Sequence, residues 1–275
     1  MTSAREPRFR STIVGADGPA CEGYGLKIAY YVINLDRSPD RLEAISADAA
    51  GIGLELQRVP AVDGAPVSLA ERRHILDEPG FRRLHGKIPM DGEYGCYASH
   101  LAVFDRFLGS DADAAVIFED DVRPGSDFLP TVAAIAATDD WDLVKLMHHR
   151  LPAFRSCRAL GPGRDLGLAW FGPTGSSACY LVNRRAAEQL RKHLVPMRLP
   201  YDVALERGWA FGLRVRHVRP DLVTSNVATR QSLIGGTKRY ASARLAPWRR
   251  LTTLAFRTSE LLRRAAYAAK ASERP

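Results

Sequence analysis

Residues 28–41, IAYYVINLDRSPDR, decide the fold class. The first eight are β-branched, aromatic or aliphatic apart from Asn34, the pattern of a buried strand. Ser38-Pro39-Asp40 follows as an N-cap, a proline at the first helical position and an acid in the first turn, so the strand feeds a helix. That helix should run from 39 to about 50, stop at Gly51, and hand over to a second strand near 54–62 that closes on Asp63-Gly64. A βαβ unit of this kind is parallel.

Outward from this unit, a polar stretch with a short helix around 68–76 precedes residues 93–108, where Tyr97, Leu101, Phe104 and Leu108 share one helical face. Residues 114–118 form a short buried strand, Phe128, Val132 and Ile135 mark a helix, and 141–147 another strand. Residues 150–174, rich in Gly, Pro and Arg, read as a loop. Strand 177–182, helix 184–193, a short helix 200–207 and strand 213–218 complete the alternation. Such an α/β sheet binds ligands beyond the carboxyl ends of its strands, where the sequence sets Asn34 to Arg37, Asp63, and Glu119 to Asp121.

The 275 residues are 46% apolar and 25% charged, enough for a sizeable core and too balanced for a disordered or fibrous chain. No stretch approaches the ~20 consecutive apolar residues of a spanning helix, and residues 1–26 lack the apolar core of a signal peptide, so a cytoplasmic chain is expected. Cys21, Cys96, Cys157 and Cys179 form no CxxC pair and read as reduced thiols. The net charge of +8 resides in residues 238–275, where ten Lys/Arg face only Glu260 and Glu273. The remaining chain is neutral, which confines a nucleic-acid or membrane role to the tail. Neither a GxGxxG turn nor a Walker A loop is present, against a conventional dinucleotide enzyme or P-loop NTPase.

Glu119-Asp120-Asp121 directly follows the apolar run AAVIF. Clustered hard oxygens at a strand end suit Mg²⁺ or Mn²⁺ held jointly with substrate phosphates, and a polar turn of solvated acids is the plain alternative. Asn34 and Asp36 at the first strand tip, with Arg37 and Arg41 near the helix start, suit a base, ribose or diphosphate. Ion pairs of the two arginines with Asp36 and Asp40 would explain them equally. Glu93 opens a helix on which Cys96, Ser99 and His100 share a face, either as a catalytic Cys/His pair or, the favoured reading, as packing and hydrogen bonding. His148-His149 says less, since strand neighbours face opposite ways.

In this order the pieces resemble glycosyltransferase family 25, the lipooligosaccharide galactosyltransferases and their collagen-galactosylating relatives. The carriers are VINLDRSPDR (32–41), VPAVDG (59–64), GEYGCYASH (92–100), AVIFEDDV (115–122), WDLVKL (141–146), GSSACYLVNRRAAEQL (175–190) and PYDVAL (200–205). The resemblance implies an α/β, GT-A-like single Rossmann-type nucleotide-sugar-binding domain with a mixed, mostly parallel sheet. It also implies a nucleotide-sugar donor, UDP-galactose before UDP-glucose or an N-acetylhexosamine donor, and inverting transfer to a hydroxyl assisted by Mn²⁺ or Mg²⁺. Glu119, Asp120 and Asp121 become the metal and diphosphate motif, with Asp121 the first ligand. Asn34, Arg37, Arg41, Asp63, Glu93 and Lys145 fall to the donor side. Asp202 is expected as the base for the acceptor hydroxyl, with a structural helix-start acid as the open alternative and Asp63, Glu93 and Asp221 as reserves. The acceptor is expected to be a lipooligosaccharide or other lipid-linked or cell-surface glycan.

The expected organisation is an N-terminal extension (1–26), the transferase domain (27–236) and a basic amphipathic C-terminal helix (237–275). In that tail Leu251, Leu254, Ala255, Leu262, Ala265 and Ala269 share one helical face, and Arg250, Arg257 and Arg264 lie opposite. This is an interfacial pattern, suited to an anionic membrane surface at the inner face of the cell membrane, although Phe256 and Tyr267 fall off the stripe. A helix docked on the protein's own core is the alternative, and no nucleic-acid partner is expected. The rival enzyme reading is a glycan hydrolase using Glu119 and Asp121 as its carboxylate pair.

Overall fold

In the computed structural model, residues 26–226 and 244–272 are described; the expected extension up to residue 25 with Cys21, and residues 227–243, lie outside them. β1 (Ile28–Asn34) leads into α1 (Pro39–Ala50), and the chain returns in β2 (Gln57–Pro60), parallel to β1. Ser38 makes no side-chain cap bond, so Pro39 at the first position sets the helix start. α2 (Leu69–Arg72) opens with a Ser68–Glu71 capping box. α3 (Glu78–His85) is an element that Pro79 and Gly80 conceal in the sequence, because both look like breakers. Asp77 caps it by accepting from the Gly80 amide, and Pro79 sits harmlessly in the first turn.

α4 (Asp91–Leu108), β3 (Ala114–Glu119), β4 (Val122–Pro124), α5 (Phe128–Ala136) and β5 (Leu143–Lys145) follow. Residues 150–174 are not a loop. They form the hairpin of β6 (Phe154–Gly161) and β7 (Arg164–Ala169), turning on Gly161 and Gly163, both with positive φ. β6 is exposed along most of its length at the sheet edge, so no apolar alternation betrays it. Then come β8 (Cys179–Asn183), α6 (Arg184–His193), α7 (Tyr201–Leu205), α8 (Gly208–Phe211), β9 (Val215–Arg219), β10 (Val223–Ser225) and α9 (Leu251–Ser272).

The main sheet has eight strands in the order β2-β1-β3-β8-β5-β9-β7-β6, and β4 pairs with β10 beside it. β1 is parallel to β2 and β3, and β5 to β9, while β8 runs antiparallel between β3 and β5 and β7 antiparallel to β6 and β9. The sheet is therefore mixed, with six of its eight strands pointing one way.

Alternation sorts the core into two layers. Tyr31, Ile33, Ile117, Tyr180 and Val182 pack with Tyr97, Leu101, Phe104 and Phe107 of α4, and Val32, Phe118 and Leu181 pack with Ile45 of α1 and Val132 and Ile135 of α5. β3 is buried on both faces, as its unbroken apolar run requires.

The C-terminal helix α9 forms and docks on the body. Thr252 and Thr253 each donate to the Arg83 carbonyl at 3.0 Å, and Glu260 accepts from Arg207 at 2.6 Å. Arg264 pairs with the fully buried Glu206 and lies over the Trp209 ring, 4.8 Å from its centroid. The Tyr267 hydroxyl accepts from the Val215 amide and donates to the Leu213 carbonyl. The residues that spoil the apolar stripe, Phe256 and Tyr267, are thus among those that dock. Arg264, expected on the outer polar face, is buried, while Leu251, Leu254 and Leu262 stay 69%, 63% and 66% exposed.

Candidate active site

Parallel pairing of β1 and β3 sets Ile33 beside Glu119, so Asn34 and the acidic triplet emerge at one sheet edge. β8 starts there from the opposite direction, and the Glu119 amide donates to the Ala178 carbonyl at 2.8 Å. The loop after β2 reaches the same edge by lying directly on α4. A Cβ at Gly64 would sit 1.9 Å from the Asp91 carbonyl oxygen, and one at Gly95 2.6 Å from that of Val62. Ser99 locks the contact, its Oγ accepting from the Val62 amide at 2.8 Å and donating to the Gly95 carbonyl at 2.7 Å. The segments VPAVDG and GEYGCYASH are two sides of one backbone contact.

Two clefts open at this edge. Arg37, Arg41, Asp63, Gly92, Gly95, Ser99 and His100 line the first, together with the acidic triplet. Arg37 pairs with Asp63, Arg41 with Asp120 at 3.0 Å, and Asp36 with Arg58. Asn34 is buried, its Nδ2 donating to the Ser38 carbonyl and to Asp120 Oδ2 at 2.7 Å. Asp120 is thereby committed on both oxygens, and Asn34 acts as scaffold for the strand tips.

The second cleft is lined by Glu93, Met147, His149, Ser176, Ser177, Pro200, Tyr201, Asp202 and Ser225. It shares Cys96, Glu119 and Asp121 with the first. Glu93 and Asp202 therefore face the second cleft, and burial raises both carboxyls above their ordinary values. Glu93 Oε2 accepts from the Met90 amide, and Oε1 is buried with no hydrogen-bond partner among the described residues.

Burial also pushes Asp121 up, to about 6, with Glu119 and Asp120 adding to the effect. For Glu119, burial is the largest single influence and acts upward, but His100, Ser177 and His149 together outweigh it, and the carboxyl lies below its ordinary value. Ser177 donates to its Oε1 at 2.6 Å and His100 Nε2 lies 3.4 Å from the same atom. Crowded hard oxygens on Glu119 and Asp121, open to both clefts, fit Mg²⁺ or Mn²⁺. Cys96, His100 and Glu119 also bring ligand atoms within 4.8 Å of one another. His100 is engaged at both nitrogens, by Tyr180 and Glu119, and burial drives the Cys96 thiol well up, so Cys96 and His100 serve packing better than nucleophilic catalysis.

Lys145 lies apart from the first cleft. It is fully buried, donating to Thr174 Oγ1 at 2.9 Å and the Gly175 carbonyl at 2.6 Å, and so fastens the segment that carries Ser176 and Ser177. His148 turns inward to Asp221 and His217 at 2.7 and 3.0 Å, while its neighbour His149 lines the second cleft. Ser177 and Tyr201 are not singled out by the sequence, because nothing local distinguishes them, although they lie inside GSSACYLVNRRAAEQL and PYDVAL; the His148-His149 pair gives only a weak signal for His149.

Residues 27–158 match glycosyltransferase family 25 (LPS biosynthesis protein). This segment, a little under half of the chain, is similar to that family. A glycosyltransferase 25 family member of Aedes aegypti is 32% identical over 130 residues, 44% of this chain and 21% of the relative. Human procollagen galactosyltransferase 2 is 27% identical over 129 residues, also 44% and 21%. A further human relative, named inactive glycosyltransferase 25 family member 3, is 30% identical over 124 residues, 42% of this chain and 21% of its own length. The matched stretch thus spans about a fifth of these relatives. A crystal structure of the galactosyltransferase LgtC with donor and acceptor sugar analogues overlaps 69% of this chain and 72% of its own at 17% identity, with a TM-score of 0.36. The family-25 segment contains every residue of the first cleft. It stops short of Ser176, Tyr201 and Asp202, so the second cleft is completed by sequence beyond it.

Proposed function

We propose that this protein transfers a hexose, galactose first, from a UDP-sugar in the first cleft to a hydroxyl of a glycan in the second. The observation that carries this reading is the pair of clefts sharing Glu119 and Asp121. Donor and acceptor need separate seats that meet at one reacting carbon, which a hydrolase acting on a single chain does not. Arg37 and Arg41, now paired with Asp63 and Asp120, exchange these partners for diphosphate oxygens. A divalent cation bound at Glu119 and Asp121 supplies neutralisation of the leaving diphosphate.

Asp202 takes the proton of the attacking hydroxyl, and attack opposite the leaving group inverts the anomeric centre. Its raised carboxyl, above an ordinary aspartate through burial, suits a base that must hold a proton briefly. The acceptor is a lipooligosaccharide or other lipid-linked glycan. Anchoring falls to the C-terminal helix, whose outer stripe of Leu251, Leu254 and Leu262 is exposed, as is Trp248. Such a face rests on an anionic lipid surface with the body on the cytoplasmic side. Among the described residues no helix is long and apolar enough to cross a membrane.

Thermal unfolding with UDP tests the reading. UDP should raise Tm in Mn²⁺ or Mg²⁺ and lose that effect in chelator. Absence of any UDP effect in either condition contradicts a nucleotide-sugar enzyme.

A further inference from the structure

A cavity of about 370 Å³ lies between the C-terminal helix, α3, α7 and residues 172–173. Four arginines line it, Arg150, Arg207, Arg257 and Arg264, against one carboxylate, Glu260. Two are neutralised, Arg207 by Glu260 and Arg264 by Glu206. Arg150 donates to the Pro173 carbonyl at 3.0 Å, and among the described residues neither it nor Arg257 has a carboxylate partner. Both side chains belong to exposed residues. His85 adds no charge, since burial, Lys87 and Arg257 push its imidazole down to about 3. Leu84, Leu199, Val203, Phe256 and Leu261 make the rest of the wall apolar.

The cavity adjoins the acceptor cleft. His149 and Arg150 are consecutive, as are Asp202 and Val203, and in each pair the first residue lines the cleft and the second lines the cavity. Pro200 and Leu199 repeat the arrangement. Residues 149–150 and 199–203 thus form a partition between the two. The cavity's other side is the C-terminal helix, whose leucine stripe faces solvent.

We propose that this cavity holds a phosphate group carried by the acceptor, while the acceptor's reacting hydroxyl occupies the adjoining cleft. The proposal rests on the transfer reading above and names the class of its acceptor, a phosphorylated glycan or glycolipid. Two guanidinium groups without counter-charge match the double charge of a phosphomonoester better than the single charge of a carboxylate.

Calorimetric titration of the full chain with inorganic phosphate tests this, in parallel with Arg150→Gln/Arg257→Gln and with Arg37→Gln in the donor cleft. The double variant should keep its Tm and bind phosphate at least about tenfold more weakly, as expected for two lost charge-assisted contacts, while Arg37→Gln weakens only the phosphate binding that UDP displaces. Unchanged affinity in the double variant, a loss confined to Arg37→Gln, or no phosphate binding by the wild type overturns the proposal. Sedimentation with phosphatidic acid vesicles, against phosphatidylglycerol vesicles, then identifies the source. A preference for the monoester headgroup that the double variant loses marks the phosphate as lipid-borne, and phosphate binding without that preference marks it as borne by the glycan; either supports the cavity. Failure of the wild type to bind UDP is a separate result that counts against the transfer reading.

Discussion

Asp120 and Asp121 are sequence neighbours with opposite duties. Asp120 is held by Asn34 and Arg41 in a nearly buried network, so Asp120→Asn should cost about 1.5–3 kcal/mol, the range for hydrogen bonds to charged groups. Asp121 is crowded by two other acids, and Asp121→Asn should leave Tm at or above wild type in differential scanning calorimetry. A drop in Asp121→Asn as large as in Asp120→Asn contradicts this division. Asp202 is separable by kinetics. Asp202→Asn should lower kcat roughly 100-fold or more while donor affinity stays near wild type. A base works deprotonated, and the Asp202 carboxyl is raised, so kcat should be full above that raised value and fall as pH drops through it. A variant that keeps most of its turnover returns Asp202 to the scaffold.

The loop on α4 is where element geometry is most exposed to test. Gly95→Ala places a methyl 2.6 Å from the Val62 carbonyl oxygen, against backbone that cannot rotate away, and should destabilise by about 1–3 kcal/mol with the first cleft distorted. An unchanged Tm contradicts the close contact. The elements with strong local signals were legible in the sequence: α1 and α6 span the residues expected of them, α1 starting at Pro39. Among the elements that were hidden, two show the physical reason most plainly. α3 carries Pro79 and Gly80 in a first turn that tolerates both, and β6 lies at an edge with little buried face to pattern. The position of the acidic triplet at the end of β3 was legible from the apolar run before it, whereas β2 ends at Pro60, short of the strand end expected at Asp63. The true partners of Arg37 and Arg41 were not legible, since Asp63 and Asp120 lie 26 and 79 residues away and only the sheet brings them together. The burial of Lys145 beneath Gly175 was hidden for the same reason.

At the scale of the whole molecule, the C-terminal helix has two faces with separate duties. Its inner face carries Arg264 against the buried Glu206, so Arg264→Ala should cost about 3 kcal/mol by leaving that carboxylate short of charge. Its outer leucines touch little, and Leu254→Ser/Leu262→Ser should reduce pelleting with anionic vesicles without lowering Tm. A chain ending at Gly236 that pellets as well as the full chain contradicts membrane anchoring. The central claim is that two clefts meet at Glu119 and Asp121 for metal-assisted sugar transfer. Incubation of the full chain with UDP-galactose, with and without saturating Mn²⁺, followed by quantification of released UDP, tests it most directly. Release should require the metal and be abolished by Asp121→Asn in a protein that still melts cooperatively; undiminished release by Asp121→Asn in saturating Mn²⁺ would contradict the account.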